Sequence, residues 1–358
     1  MKSLNIKSNI HNYQVDFQKN LSFISKLIEL KKRVFVIDKN VYRLYKKEFK
    51  SISKDKLFIL DAVEEKKTLE SVQKIYEFLA KEDAKKNMIL ISIGGGITQD
   101  ITGFVASSLY RGIKWIFVPT TFLAQADSCI GSKTSLNFKN YKNIIGGFYP
   151  PHKIYIAPDF LKTLTKKDFY SGIGEVIKFA LLKEKYPKNI DNIISMVESL
   201  KKDKNKLQTI RKTMAVKQRY IATDEFDTGK RNLFNYGHCF GHALENSSHY
   251  KIPHGIAVTI GMIYANIVSY DRGLISKKVL KKLNIELLLP NIYMKLKLSY
   301  FDKNILLESM KNDKKRVGKD LTIVIAVDNE IRAKKVDNFS FKEFSKTYNK
   351  LIEILELK

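Results

Sequence analysis

The chain has 358 residues, 44% of them hydrophobic, which is long enough for two domains with a sizeable core and too apolar for a disordered chain. It has no run of about eighteen apolar residues, so no membrane span is expected. Its 64 Lys and Arg against 37 Asp and Glu give a net charge of +27, scattered in short Lys-rich pieces. With no aromatic RNA-binding signature and no zinc-finger spacing, that charge points to anionic metabolites rather than to nucleic acid. Residues 1–17 lack an apolar signal core, which predicts a cytoplasmic protein. Two cysteines, Cys129 and Cys239, are too few for a disulfide framework.

The first part of the chain alternates short apolar runs with helix-like stretches. VFVID at 34–38 predicts a strand, followed by a helix-like NVYRLYKKEF. LFIL at 57–60 predicts a second strand, followed by a helix from Thr68 to Ala80. MILISI at 88–93 runs straight into glycines at 94–96; a helix-like segment covers 99–110, and WIFVPTT at 115–121 is another strand. Such short buried runs between helices imply a mostly parallel sheet covered on both faces. From about Asp159 the pattern changes to long amphipathic helices over 168–185, 190–201, 205–222, 231–247, 255–272 and 275–288. A strand at 321–327 and a helix at 340–356 close the chain. An α/β domain over 1–158 and a mainly α-helical domain over 159–358 are therefore expected.

ISIGGGITQD reads as strand, glycine turn and helix start. Such a turn brings backbone amides close to a pyrophosphate. It is not the G-x-G-x-x-G fingerprint, and an ordinary tight turn accounts for it equally. Asp38, at a strand end, can accept ribose hydroxyls or cap the helix that follows.

Four of the six histidines lie between 238 and 254. His238 and His242 share one face of a helix-like run, His254 precedes an apolar helix, and His249 reads as loop. Cys239, adjacent to His238, points about 100° away on a helix. Imidazole suits both zinc and proton transfer near neutral pH, so one metal-centred reaction site is expected.

Seven segments carry a resemblance: GGGITQD (94–100), RGIKWIFVPTTFLAQADSCIGSKTSLNF (111–138), KNIIGGFYPP (142–151), SGIGEVIKFALL (171–182), TDEFDTGKRNLFNYGHCFGHALE (223–245), HGIAV (254–258) and NDKK (312–315). Together they resemble 3-dehydroquinate synthase, a family of sugar phosphate cyclases. The resemblance implies an N-terminal Rossmann-like NAD-binding domain and a helical metal-binding domain. It also implies conversion of DAHP, a seven-carbon sugar acid phosphate, to 3-dehydroquinate, a step of the shikimate route to aromatic amino acids.

Carried over residue by residue, the resemblance implies that Glu175, His238 and His254 hold Zn2+ or Co2+. Two imidazoles and one carboxylate leave coordination room for substrate. His242 then serves phosphate and proton-transfer chemistry; a metal pair of His238 and His242 is the alternative. Lys133, Lys142, Asn143, Lys178, Lys217, Arg231, Asn235 and Lys314 fall on the family's anion pocket, where Lys and Arg suit a phosphate and a carboxylate. Arg111 implies reach into a neighbouring subunit, and so a homodimer. For NAD+ the resemblance points to Asp38, Glu64, Lys67, Gly95, Gly96, Asp100, Thr120, Thr121 and Asp127, with Phe160, Thr163 and Leu164 on the adenine side. Asp127 is also placed to meet substrate. The implied reaction is a transient oxidation by NAD+, loss of phosphate, re-reduction and an intramolecular aldol step.

Three departures stand out. Thr98 and Gln99 replace the family's Val-Gly pair, GSKTS replaces GGKTA, and Ile256 replaces an acidic residue near His254. They are expected to crowd the pyrophosphate turn and to remove a partner of a metal ligand. They also leave open a sister cyclase acting on another sugar phosphate, such as sedoheptulose 7-phosphate, in polysaccharide or secondary metabolism. Lys217 and Arg231 favour DAHP, because a neutral sugar phosphate has no carboxylate to pair there. A polyol dehydrogenase of similar architecture would not need the dense cationic set. A nucleic-acid module would leave the histidine cluster unexplained.

Overall fold

The computed structural model describes residues 3–81, 85–139, 141–183, 189–312 and 320–357. They divide into two compact units, Met1–Leu164 with Lys217–Phe226, and Thr165–Val216 with Asp227–Lys358. The expected boundary at 158/159 falls inside the turn Pro158–Thr163. The last part of the helix Lys206–Thr223 belongs with the first unit. Long-range bonds explain this: Glu225 accepts from Ser8 Oγ at 2.5 Å, the Asn9 amide at 2.7 Å and Ser132 Oγ at 3.3 Å.

In the first unit the strands are β1 (Leu4–Ile6), β2 (Tyr13–Phe17), β3 (Arg33–Asp38), β4 (Leu57–Leu60), β5 (Ile89–Gly94), β6 (Lys114–Pro119), β7 (Lys133–Phe138), β8 (Tyr141–Phe148) and β9 (Lys153–Ile156). Seven of these described strands form one sheet in the order β1-β2-β9-β6-β5-β3-β4. Every neighbouring pair is parallel except β1 with β2. β7 and β8 form a separate antiparallel hairpin. The central strands are apolar throughout because both faces are covered. Phe35 and Ile37 of β3, Ile91 and Ile93 of β5 and Val118 of β6 share one core with Phe23, Leu27, Phe49 and Phe160. This stacking aligns the carboxyl ends of β3, β5 and β6, where Asp38, Gly94 and Thr120 sit. Ligands of open α/β sheets bind at those ends.

The second unit is built of helices, with a hairpin of β10 (Leu321–Ala326) and β11 (Ala333–Phe339). Its central helix, His254–Asp271, is buried from Gly255 to Ser269, so it shows no polar face. The expected single helix over 231–247 is in fact two pieces, a 3-10 segment Lys230–Asn235 and the helix His238–Ser247. Gly237 between them takes φ +80, and a Cβ there would stand 2.5 Å from the Val258 carbonyl oxygen. Likewise 275–288 is a short α-helix, Lys277–Lys281, continued by the wider turn Lys282–Leu288. Among the described residues, no helix is long and apolar enough to cross a membrane.

Candidate active site

Glycine contacts between helices of the second unit assemble a histidine and carboxylate cluster. The helices Lys166–Leu182 and His254–Asp271 cross where a Cβ on Gly255 would meet the Ser171 carbonyl oxygen at 1.8 Å, and one on Gly174 the Gly255 oxygen at 2.1 Å. The backbones therefore touch, and Glu175 and His254, the neighbours of those glycines, face one another. A second crossing, where a Cβ on Gly261 would meet the Gly237 oxygen at 1.9 Å, brings in His238.

Glu175 Oε1 lies 3.4 Å from His238 Nε2 and 3.4 Å from His254 Nε2. Four ligands held about 2.0–2.1 Å from a zinc ion stand about 3.3–3.4 Å apart, so these distances are edges of a metal tetrahedron. The Glu175 carboxylate is fully buried, and among the described residues neither oxygen accepts a hydrogen bond of good geometry, although Lys178 Nζ is 2.5 Å from Oε2. A buried carboxylate oxygen facing two imidazole nitrogens fits a cation ligand. The ligand atom of His242 lies within 4.8 Å of those of His238 and His254, so the structure brings all three histidines together.

The surroundings set the ligand states. Burial alone would raise the Glu175 carboxyl; Lys178 and then His254 outweigh it and hold it well below the usual carboxylate range. Burial, with Lys178 and the other two histidines, pushes His238 well below 6.5, and its Nδ1 faces the Tyr236 carbonyl oxygen at 3.3 Å. That contact makes Nδ1 the protonated nitrogen and leaves the Nε2 lone pair toward Glu175. His254 Nδ1 bonds Glu245 Oε2 at 3.0 Å. Burial opposes the charge on His254, but Glu245 and Glu175 raise it to about 10.

Glu245 is a residue the sequence reasoning missed, although it closes the quoted GHALE run. The partner of His254 expected to be lost at Ile256 is supplied here by Glu245, and Ile256 itself is fully buried. Lys178 is buried with its ammonium 4.6 Å from the Phe179 ring centre and 5.6 Å from that of Phe234. Arg231 is buried in the segment Lys230–Asn235, which ends at Asn235. Lys314 lies outside the described residues.

The first unit gathers seven of the remaining expected residues in two clusters. Lys67 Nζ donates to Asp100 Oδ2 at 3.0 Å and to Asn143 Oδ1 at 2.5 Å. Lys142 Nζ is 3.4 Å from Glu64 Oε1, which also accepts from Asn137 Nδ2 at 2.9 Å. Residues expected at NAD+ (Glu64, Lys67, Asp100) and residues expected at substrate (Lys142, Asn143) thus form one network. Ser135 joins it without having been singled out: its Oγ is 3.0 Å from Asp100 Oδ2 and 2.9 Å from Asn143 Oδ1 and donates its single proton to one of them. Burial raises the Asp100 carboxyl, against the pull of Lys67 and Ser135. In the second cluster Lys217 Nζ donates to the Asp127 carbonyl oxygen at 2.7 Å and its Oδ1 at 2.5 Å.

Around the glycine turn, a Cβ on Gly94 would stand 2.3 Å from Thr98 Oγ1, and one on Gly95 3.0 Å from Thr121 Cγ2. The helix Gly96–Ser108 begins there with no side-chain hydrogen bond from its N-cap Gly95. Thr120 bonds back to Gly94, and Thr121 Oγ1 accepts the Ala124 amide. Asp38 caps the helix Lys39–Leu44 through the Val41 amide at 2.9 Å. Phe160 packs edge-on to Tyr45, whose hydroxyl is 2.9 Å from Thr163 Oγ1, close to Leu164 at the end of the unit's first segment. Lys133 opens β7 and is exposed; Arg111 is exposed in a turn at φ +62.

Comparison with known proteins identifies the family. Residues 57–171 match the family model of the 3-dehydroquinate synthase N-terminal domain, and residues 172–316 that of its C-terminal domain. The chain is 38% identical to 3-dehydroquinate synthase of Clostridium tetani over 323 residues, which is 85% of this chain and 83% of that one. Among solved structures it is similar to 2-epi-5-epi-valiolone synthase of Streptomyces hygroscopicus with NAD+ and Zn2+ bound (TM-score 0.80, 22% identity, 99% of each chain). It is also similar to a 2-deoxy-scyllo-inosose synthase complexed with carbaglucose-6-phosphate, NAD+ and Co2+ (TM-score 0.77, 25% identity, 100% of each chain). The likeness at 22% speaks for the fold; the family models and the Clostridium relative decide the family. The chain belongs to the 3-dehydroquinate synthase family.

Proposed function

We propose that this cyclase converts DAHP to 3-dehydroquinate and phosphate, with NAD+ and one divalent ion, Zn2+ or Co2+, as cofactors. The observation that carries the reading is the fully buried Glu175 carboxylate facing Nε2 of His238 and His254 at tetrahedral-edge distances. When bound, the ion polarises substrate hydroxyls and NAD+ accepts and returns a hydride, so the net reaction is redox-neutral.

The chain's own groups have these roles in the proposal. Glu175, His238 and His254 hold the ion. Tyr236 and Glu245 fix which ring nitrogen each histidine presents. Lys178, within 2.5 Å of Glu175, offsets its charge in the apolar pocket of Phe179 and Phe234 and presents an ammonium to the phosphate. His242 handles a proton near that phosphate. Arg231, Asn235 and Lys217 recognise the carboxylate, and Lys133, Lys142, Asn143 and Lys314 complete the anion set. The uncapped start of Gly96–Ser108 receives the pyrophosphate of NAD+. Asp38, Glu64, Lys67, Asp100, Thr120, Thr121 and Asp127 line the rest of that cofactor, with Phe160, Thr163 and Leu164 at the adenine. Arg111 serves a partner subunit in a homodimer, and the reaction feeds the shikimate route.

The test is phosphate release by purified protein loaded with metal and NAD+, comparing DAHP with sedoheptulose 7-phosphate. The expected result is phosphate and 3-dehydroquinate from DAHP alone. Release only from the neutral heptulose phosphate would overturn the substrate assignment.

A further inference from the structure

Gln99 replaces a glycine of the family pattern, and its bulk was expected to press on the pyrophosphate turn. The side chain instead is buried and points elsewhere. Its Nε2 donates to the Ser128 carbonyl oxygen at 2.8 Å, and its Oε1 accepts from Ser128 Oγ at 2.7 Å. Both ends of the carboxamide are therefore spent on one residue.

Ser128 ends the turn Ala124–Ser128, which is wound as a π-helix. Such turns are wider and less stable than α-helix and recur at functional sites. This one is pinned at its start by Thr121 Oγ1 on the Ala124 amide. Gln125 Nε2 pins it again, to the carbonyls of Pro119 at 3.0 Å and Ala157 at 2.9 Å. At its far end the tie is Gln99. Between these anchors sits Asp127, the partner of Lys217.

We infer that Gln99 is a positioning residue that clamps the end of this turn and so fixes where Asp127 holds the Lys217 ammonium. A glycine at 99 would leave the Ser128 end without that tie and Lys217 with a mobile anchor. This inference rests on the assignment of Lys217 to the substrate carboxylate.

The test compares holoenzyme carrying Gln99→Gly, Gln99→Met or Ser128→Ala with the parent. Met fills the volume of Gln without its bonds, so it separates bonding from packing and should fold normally. Amide hydrogen exchange across 124–130 reads the clamp, and kcat and KM for DAHP read its consequence. Both Gln99 variants should exchange faster there, and KM should rise about tenfold, as expected for one or two lost hydrogen bonds. The change in kcat should stay within about twofold, the pattern of lost uniform binding. Ser128→Ala should give a smaller rise and add nothing on top of Gln99→Met. Parental exchange in Gln99→Met overturns the clamp, and faster exchange with parental KM overturns the positioning role. A parent that fails to turn over DAHP overturns the substrate assignment instead, and exchange at 124–130 then decides the clamp alone.

Discussion

The histidine centre of the second unit and the lysine network of the first solve opposite electrostatic problems. In the second, a buried carboxylate and two imidazole nitrogens converge at 3.4 Å, an arrangement that a cation would complete. In the first, the cations are already matched: Lys67 with Asp100, Lys142 with Glu64, and Lys217 with Asp127. The contrast teaches that a basic pocket need not be a pool of unmatched charge. Here three lysines are held in place by carboxylates, which preorganises them and tempers the net charge that an anionic ligand would meet.

The sharpest way to break the comparison is to remove what the histidine centre is built for. Glu175→Gln removes the carboxylate facing both Nε2 atoms, and stripping the metal with a chelator acts on the same centre. Each is expected to lower kcat at least about a thousandfold, with activity restored by Zn2+ or Co2+ in the stripped parent but not in the variant. Turnover and metal content measured on the same sample check this. Glu245→Gln acts one bond further out, on the proton of His254 Nδ1. Metal affinity should fall about 10- to 100-fold, read by competition with a chelating dye.

On the other side of the comparison, Lys67→Met leaves Asp100 without its cation. The cost should be about 3 kcal/mol in denaturant unfolding, because one member of a buried pair remains. Adding Asp100→Asn should recover a good part of that loss, whereas additive losses would mean the two residues do not act as a pair.

The two units should also differ in the sign of their pH dependence. In the first, burial, with help from His11 and Lys114, lowers His152 from 6.5 to about 4. The unfolded chain binds more protons there, so stability is full above pH 6.5 and lost as pH falls toward 4. In the metal-free second unit, His254 is raised to about 10. Its contribution is full below pH 6.5 and lost as pH rises toward 10. Amide exchange of the two cores across this range checks the signs, and His152→Phe should flatten the acid limb of the first unit.

Much of this was legible in the sequence, for identifiable reasons. The strands β3, β4, β5 and β6 are apolar runs bounded by turns, and local patterning shows them. The proposed ligands Glu175, His238 and His254 sit in dense motifs. The short β1 and β2 and the half-exposed hairpin of β7 and β8 carry no such signal; Tyr141 and Ile144 are exposed apolar residues on it. The break at Gly237 is dictated by its approach to Val258, a tertiary contact outside any local window. For the same reason Gln99 read as bulk in the wrong place, because its partner Ser128 is found only once the turn is folded. Glu245 was overlooked as one acidic residue among many until the His254 ring turned toward it.

The central claim is the identity of the metal ligands. Anomalous scattering at the zinc edge from crystals of the zinc-loaded protein tests it most directly. The account predicts one ion about 2.0–2.2 Å from Glu175 Oε1 and Nε2 of His238 and His254, with His242 beyond bonding distance. An ion held by the three histidines, with Glu175 still on Lys178, would contradict it.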